Sequence, residues 1–333
     1  MARRRTHELA LPEPSRGRPT APSRNGGSSQ PLKDAVFRRA SNDEALMSTS
    51  PQNEIARFLG SGEHDGLYTA WPGESLLTRA LNGDQALRQA LISVVNDRPS
   101  RAKMPDGLVG LDVEAFARKT IGPMVRGLFS AAEQPAVIEM LSRSIIFLTP
   151  SNIESVLLST PFVGTAWNLA NLYLVSRGAE PLSNDVREIV GLSEGTRCYV
   201  SIAYFHRDVR IEDFVVHEAA HVFHNCKRET IGLSKIRGHE WLLEIDFGKR
   251  EMFAYACEAY SCIVNRGDTP AARRKLLTEI KSGRMPPDER VDVNDYLQAL
   301  CDAVDARNGW KRILESCAPP SRRRVKSAGR PHP

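Results

Sequence analysis

Along this chain, stretches with leucine and alanine every three or four positions alternate with short unbroken apolar runs. Residues 74–96 and the segment 112–143, "DVEAFARKTIGPMVRGLFSAAEQPAVIEMLSR", show the helical spacing, with breaks expected at Gly122–Pro123 and Pro135. They predict a helical N-terminal region over 51–143. "SIIFLTP" (144–150) reads as a buried strand, and "TPSNIESVLLS" as a short helix capped by Ser or Asn. "TAWNLANLYLVSRG" (165–178) reads as a buried helix stopped by Gly178. "TRCYVSIAYF" (196–205), rich in Tyr, Val, Ile and Phe, reads as a strand. A helix follows in "HRDVRIEDFVVHEAAHVFHNCKR" (206–228). Asp208, Glu212 and Asp213 stand near its start and Lys227 and Arg228 at its end, the charge order a helix dipole favours. Further helical stretches are expected over 238–267, 269–283 and 292–316. The pattern is that of an α+β protein with a small sheet and mostly helical surroundings.

Composition adjusts this picture at the ends. Residues 1–50 are rich in Pro, Ser, Gly, Asn and Arg, and 318–333 are similar, so both are expected to be disordered tails. Residues 1–40 carry nine Lys and Arg against three Asp and Glu, and 318–333 carry five basic residues and no acid. The net charge of +5 thus belongs to the tails, and the body is acidic. Basic tails can make weak contacts with nucleic acid, although solvated ends are the simpler reading. The apolar runs are too short to span a bilayer, and the N-terminus lacks the apolar core of a signal peptide. The expectation is a cytoplasmic protein without membrane segments. The six cysteines form no CxxC pair, and Cys257 and Cys262 match no common metal-ligand spacing.

The chemistry concentrates in "DFVVHEAAHVFHNC", residues 213–226. His217 and His221 are four apart, so on a helix both rings leave one face a turn apart. They can share a zinc ion at roughly 2.0–2.1 Å each. Glu218 is rotated off that line, where it can take a proton from a metal-activated water without binding the metal. Val215, Val216, Val222 and Phe223 can pack the helix, and Ala219 and Ala220 leave room beside the metal. His224 is seven residues from His217, about 10 Å along the axis, too far for all three rings to share one ion. The pattern with a glycine after the second histidine and a third histidine six beyond it fails here, since His224 and Lys227 hold the corresponding positions. A third ligand is available downstream in "KREMFAYACEAYSC", where Glu251 and Glu258 are seven apart on one helical face. Tyr255, Tyr260, His224 and His239 are candidate donors to a developing oxyanion.

On these residues, over 197–265, the chain resembles the gluzincins, the thermolysin-like zinc metallopeptidases. In that family a second helix after HExxH carries a glutamate ligand, often with Ala three residues on and a polar residue four on. Glu251 has Ala254 and Tyr255 there; Glu258 has Ser261 and Cys262. The resemblance favours Glu251 as third ligand with Glu258 as the alternative, and implies a zincin-like domain over 144–317. The acid or Asn usual four after the ligand is absent, so the support of the first histidine is not evident. The resemblance also implies a protein or peptide substrate pairing with a strand edge beside the active helix, a role "CYVSIAYF" could take. Three functions compete: a general zinc endopeptidase, a protease acting on one partner protein, and a non-enzymatic protein that keeps a zincin scaffold. Glu218 discriminates, because zinc binding does not require it and hydrolysis does.

Overall fold

The structure is a computed structural model that describes residues 50–183, 191–206, 213–236, 239–283 and 285–319. Apart from Ser50, Ala318 and Pro319, the segments expected as tails lie outside the described residues, as do Asp208 and Glu212.

The chain opens with α1 (Pro51–Ser61) and α2 (Leu76–Asp97), whose starts are set by the hydroxyls of Ser50 and Ser75 accepting from the amides of Asn53 and Thr78. Next come α3 (Val113–Leu128), α4 (Gln134–Ser144) and strand β1 (Ile145–Leu148). α5 (Ile153–Ser159) and α6 (Val163–Ser176) precede β2 (Gly191–Glu194) and β3 (Arg197–Ser201). α7 (Phe214–Asn225) carries the two-histidine motif. α8 (Arg250–Arg266), α9 (Pro270–Lys281), α10 (Val293–Asp305) and α11 (Gly309–Cys317) complete the described chain. The architecture is α+β and mostly helical, with eleven α-helices and one small mixed sheet among the described residues. No described helix is long and apolar enough to cross a membrane.

The sheet order is β1-β3-β2, with β1 parallel and β2 antiparallel to β3. Successive side chains of a strand point to opposite faces, and β3 uses both. Cys198 and Val200 enter one apolar cluster with α3, α7, α8, α10 and α11, while Tyr199 enters a second with α1, α2, α5 and α6. The first cluster takes in residues on both sides of position 143. Phe129, after α3, packs its ring 5.1 Å from that of Phe223 on α7. At Gly127 a Cβ would stand 2.2 Å from Trp310 of α11, and the Gly127 carbonyl accepts from Asn308 at 2.8 Å. The N-terminal helices and the motif region are therefore packed as one unit.

Several local expectations change. α3 runs through Pro123 without a break. An internal proline costs about 3 kcal/mol, but burying Ile121, Met124 and Val125 on the same helix contributes about 1.5–3 kcal/mol each. The expected break at Pro135 is present, with Pro135 in the first turn of α4. The helix expected from 238 starts only at Arg250, because the preceding backbone has other partners. The amides of Leu242 and Leu243 donate to the carbonyls of Cys226 and Phe223, satisfying the C-terminal end of α7. The strand expected over 196–205 stops at Ser201 and passes into a 3-10 turn over Ile202–His206.

Candidate metal centre

α7 begins at Asp213, whose carboxylate accepts from the Val216 amide at 3.3 Å. Burial pushes the Asp213 carboxyl up to about 6, with the Glu258 charge adding to the rise against the hydrogen bonds it accepts. Every residue from Val215 to His224 is buried. Ala219 and Ala220 are buried in the apolar cluster.

His217 and His221 face α8. Their Nε2 atoms are 3.2 Å apart, and Oε2 of Glu251 lies 3.5 Å from Nε2 of His221 and 4.0 Å from Nε2 of His217. Donors bound at zinc distances in a tetrahedron are separated by about 3.3 Å, so this triangle needs only a small closure to hold such an ion. Among the described residues these three form the one cluster of metal-binding type. Two imidazoles and one carboxylate make a zinc-type donor set.

Glu258 stands elsewhere. Its Oε2 lies 3.0 Å from Nδ1 of His217, the nitrogen turned away from the cluster, and its Oε1 is buried without a hydrogen-bond partner among the described residues. Glu258 is thus a supporting carboxylate for His217 rather than a third ligand atom beside the Nε2 pair. With a proton on Nδ1 facing that carboxylate, Nε2 is the nitrogen that would meet a cation. The support not evident from the residue four after Glu251 comes from the residue seven after it, on the same helical face. Burial opposes a charge on His217, but the hydrogen bond to Glu258 and the charges of Glu258, Glu218 and Glu251 outweigh it and push the imidazole up to about 9.

No family model, curated protein or solved structure matches the chain. What the cluster can do rests on its own geometry.

Glu218 is 6% exposed and belongs to no ligand triangle. Burial raises its carboxyl above the usual range, against the pull of His217, His221 and a hydrogen bond with the Ser193 side chain. Ser193 is on β2, and Gly191 of the same strand touches the glutamate: a Cβ at Gly191 would stand 2.6 Å from Glu218 Oε1. β2 therefore crosses the face of α7 that carries Glu218. The strand expected to offer an edge, β3, is paired on both sides, so beside the motif helix the sheet edge is β2. β2 is a four-residue strand, "GLSE", with no strong β pattern in its sequence.

The other proposed donors separate cleanly. Tyr255 packs its ring 4.5 Å from that of His217, and burial and the surrounding carboxylates push its phenol up to about 12, so it stays an O–H donor. Tyr260 is nine residues from Glu251, two and a half turns, and so falls on the opposite face of α8. It packs edge-on against Trp310 at 4.9 Å. His224 is buried with no hydrogen-bond partner for its Nδ1 among the described residues, and burial, with the nearby His221 and Arg250 charges, lowers it to about 3. His239 is exposed and outside the cluster. Cys257 and Cys262 are buried free thiols, also outside it. One neighbour carries no sequence motif: Arg290, between α9 and α10, places Nη2 3.0 Å from Oε1 of Glu251.

Proposed function

We propose that this chain is a zinc peptidase with a zincin-like core. The observation that carries the reading is the division of labour at α7. Nε2 of His217 and His221 and Oε2 of Glu251 converge, Glu258 takes Nδ1 of His217, and Glu218 stands apart with a raised carboxyl. Purely structural histidine pairs do not need a separate buried carboxylate of that kind.

His217, His221 and Glu251 would hold the ion. Bound zinc supplies a Lewis acid that acidifies water and polarises a carbonyl. Glu218 accepts the proton of the attacking water and passes it to the leaving amine, a task suited to a carboxyl that burial raises above its usual range. Ser193 holds Glu218 in place. Tyr255 is the donor best placed to meet charge developing on the carbonyl oxygen. The outer edge of β2 offers backbone groups to an extended peptide.

The test is Glu218→Gln compared with wild type, by zinc content and by mass-spectrometric mapping of cleavage products. The expected result is full zinc and products only from wild type. Zinc-loaded wild type that cuts nothing supports the non-enzymatic scaffold. Cleavage of one protein alone supports a single-target regulatory protease.

A further inference from the structure

We infer that Arg290 is a positioning residue that keeps Glu251 a one-oxygen ligand, with Asp288 aiming the guanidinium. The inference rests on the metal site proposed above and adds a residue to it. Glu251 divides its two oxygens between two tasks. Oε2 faces the histidine nitrogens at 3.5 and 4.0 Å, while Oε1 faces Nη2 of Arg290 at 3.0 Å. A carboxylate with both oxygens free can bind an ion through both, filling a position that catalysis needs open. An arginine on Oε1 works against that mode by charge and hydrogen-bonding capacity.

Arg290 is itself fixed. Its Nε and Nη2 donate to Oδ1 and Oδ2 of Asp288 at 2.9 and 2.6 Å, a paired geometry that sets the plane of the group. The Asp288 side chain is 14% exposed, whereas that of Arg290 is 64% exposed. The acid is thus anchored and the arginine reaches from the surface to the ligand. A surface ion pair contributes little to stability, so a purely structural role would leave little trace on replacement. A role at the metal would leave a distinct one.

The experiment replaces Arg290 by Met and by Lys in the full chain and loads each protein with Co(II), a visible stand-in for zinc. Metal affinity is read by chelator competition, and the d–d absorption reports coordination number, strong for four-coordinate and weak for five- or six-coordinate cobalt. The expected result for Arg290→Met is 10–100-fold weaker binding, the usual cost of losing an outer partner of a ligand. Its d–d absorption should weaken as Glu251 closes through both oxygens. Arg290→Lys, a single cation, should restore affinity in part. Thermal melting of the metal-free variants should match wild type. An Arg290→Met protein with wild-type affinity and spectrum overturns the inference while leaving the metal site intact. Wild type that takes up no cobalt or zinc overturns both.

Discussion

Replacing Glu258 by glutamine sets two effects of similar size against each other. The side chain is 3% exposed and its Oε2 lies 3.0 Å from Nδ1 of His217. With metal bound, the carboxylate accepts from Nδ1–H and strengthens the ring as a ligand. Losing such a partner costs 10–100-fold in affinity, about 1.4–2.7 kcal/mol. Without metal, the same carboxylate is the main reason that His217, despite its burial, is pushed up to about 9. Near neutral pH the ring then carries a proton that a metal must displace, a penalty of about two pKa units or ~2.7 kcal/mol. The sign follows from the raised value. The protonated pair stabilises the metal-free fold fully below the ordinary imidazole range, and that contribution is lost as pH rises through about 9. Proton competition therefore favours the Gln variant near pH 7 and vanishes at high pH. Chelator-competition titrations should find Glu258→Gln within a few-fold of wild type at about pH 7 and 10–100-fold weaker at about pH 9.5. Melting of the metal-free proteins checks that the fold survives the exchange. A gap that does not widen with pH refutes the reasoning. So does Glu258→Ala losing more affinity than Glu251→Ala, since that would make Glu258 the ligand.

Other outcomes follow from the same geometry. Glu218→Gln should keep zinc and lose roughly two to four orders of magnitude of turnover, whereas His217→Ala should lose both metal and activity, as elemental analysis and product mapping would show. Gly191→Ala should leave zinc stoichiometry unchanged and cut turnover by about 100-fold. Its Cβ would meet Glu218 at 2.6 Å and displace the base, and wild-type kinetics in that variant would remove β2 from the site. Asp213→Asn keeps the helix cap and removes a buried charge whose carboxyl is raised to about 6. The native aspartate's stability falls as pH rises from about 4 to about 6, so the Asn variant should gain up to about 3 kcal/mol in urea unfolding at pH 7 and nothing at about pH 3.5. An unchanged pH dependence would count against that assignment.

The helical periodicity of α2 and α10 was legible because one-sided burial writes itself into leucine spacing, and the motif helix because a turn separates its histidines. The choice between Glu251 and Glu258 was not legible. The two carboxylates share a helical face, and only the packing of α7 on α8 turns one to Nε2 and the other to Nδ1. Tyr260 could have been set aside by angle alone, since it falls half a turn from the ligand face. β2 escaped because four residues with a glycine at the start carry no alternation; its partner strand makes it a strand. Arg290 escaped because it reaches Glu251 from a loop 39 positions away, and sequence spacing predicts contacts only within regular elements.

The burial of α7 from Val215 to His224 also bears on what such a peptidase could cut. With His217, Glu218 and His221 all less than a tenth exposed, a folded surface cannot be brought to them. Any chain that reaches them would first have to be drawn out as a strand. Selection would then fall on how easily a segment of the target unravels, with the target's own local stability acting as the switch for its cleavage.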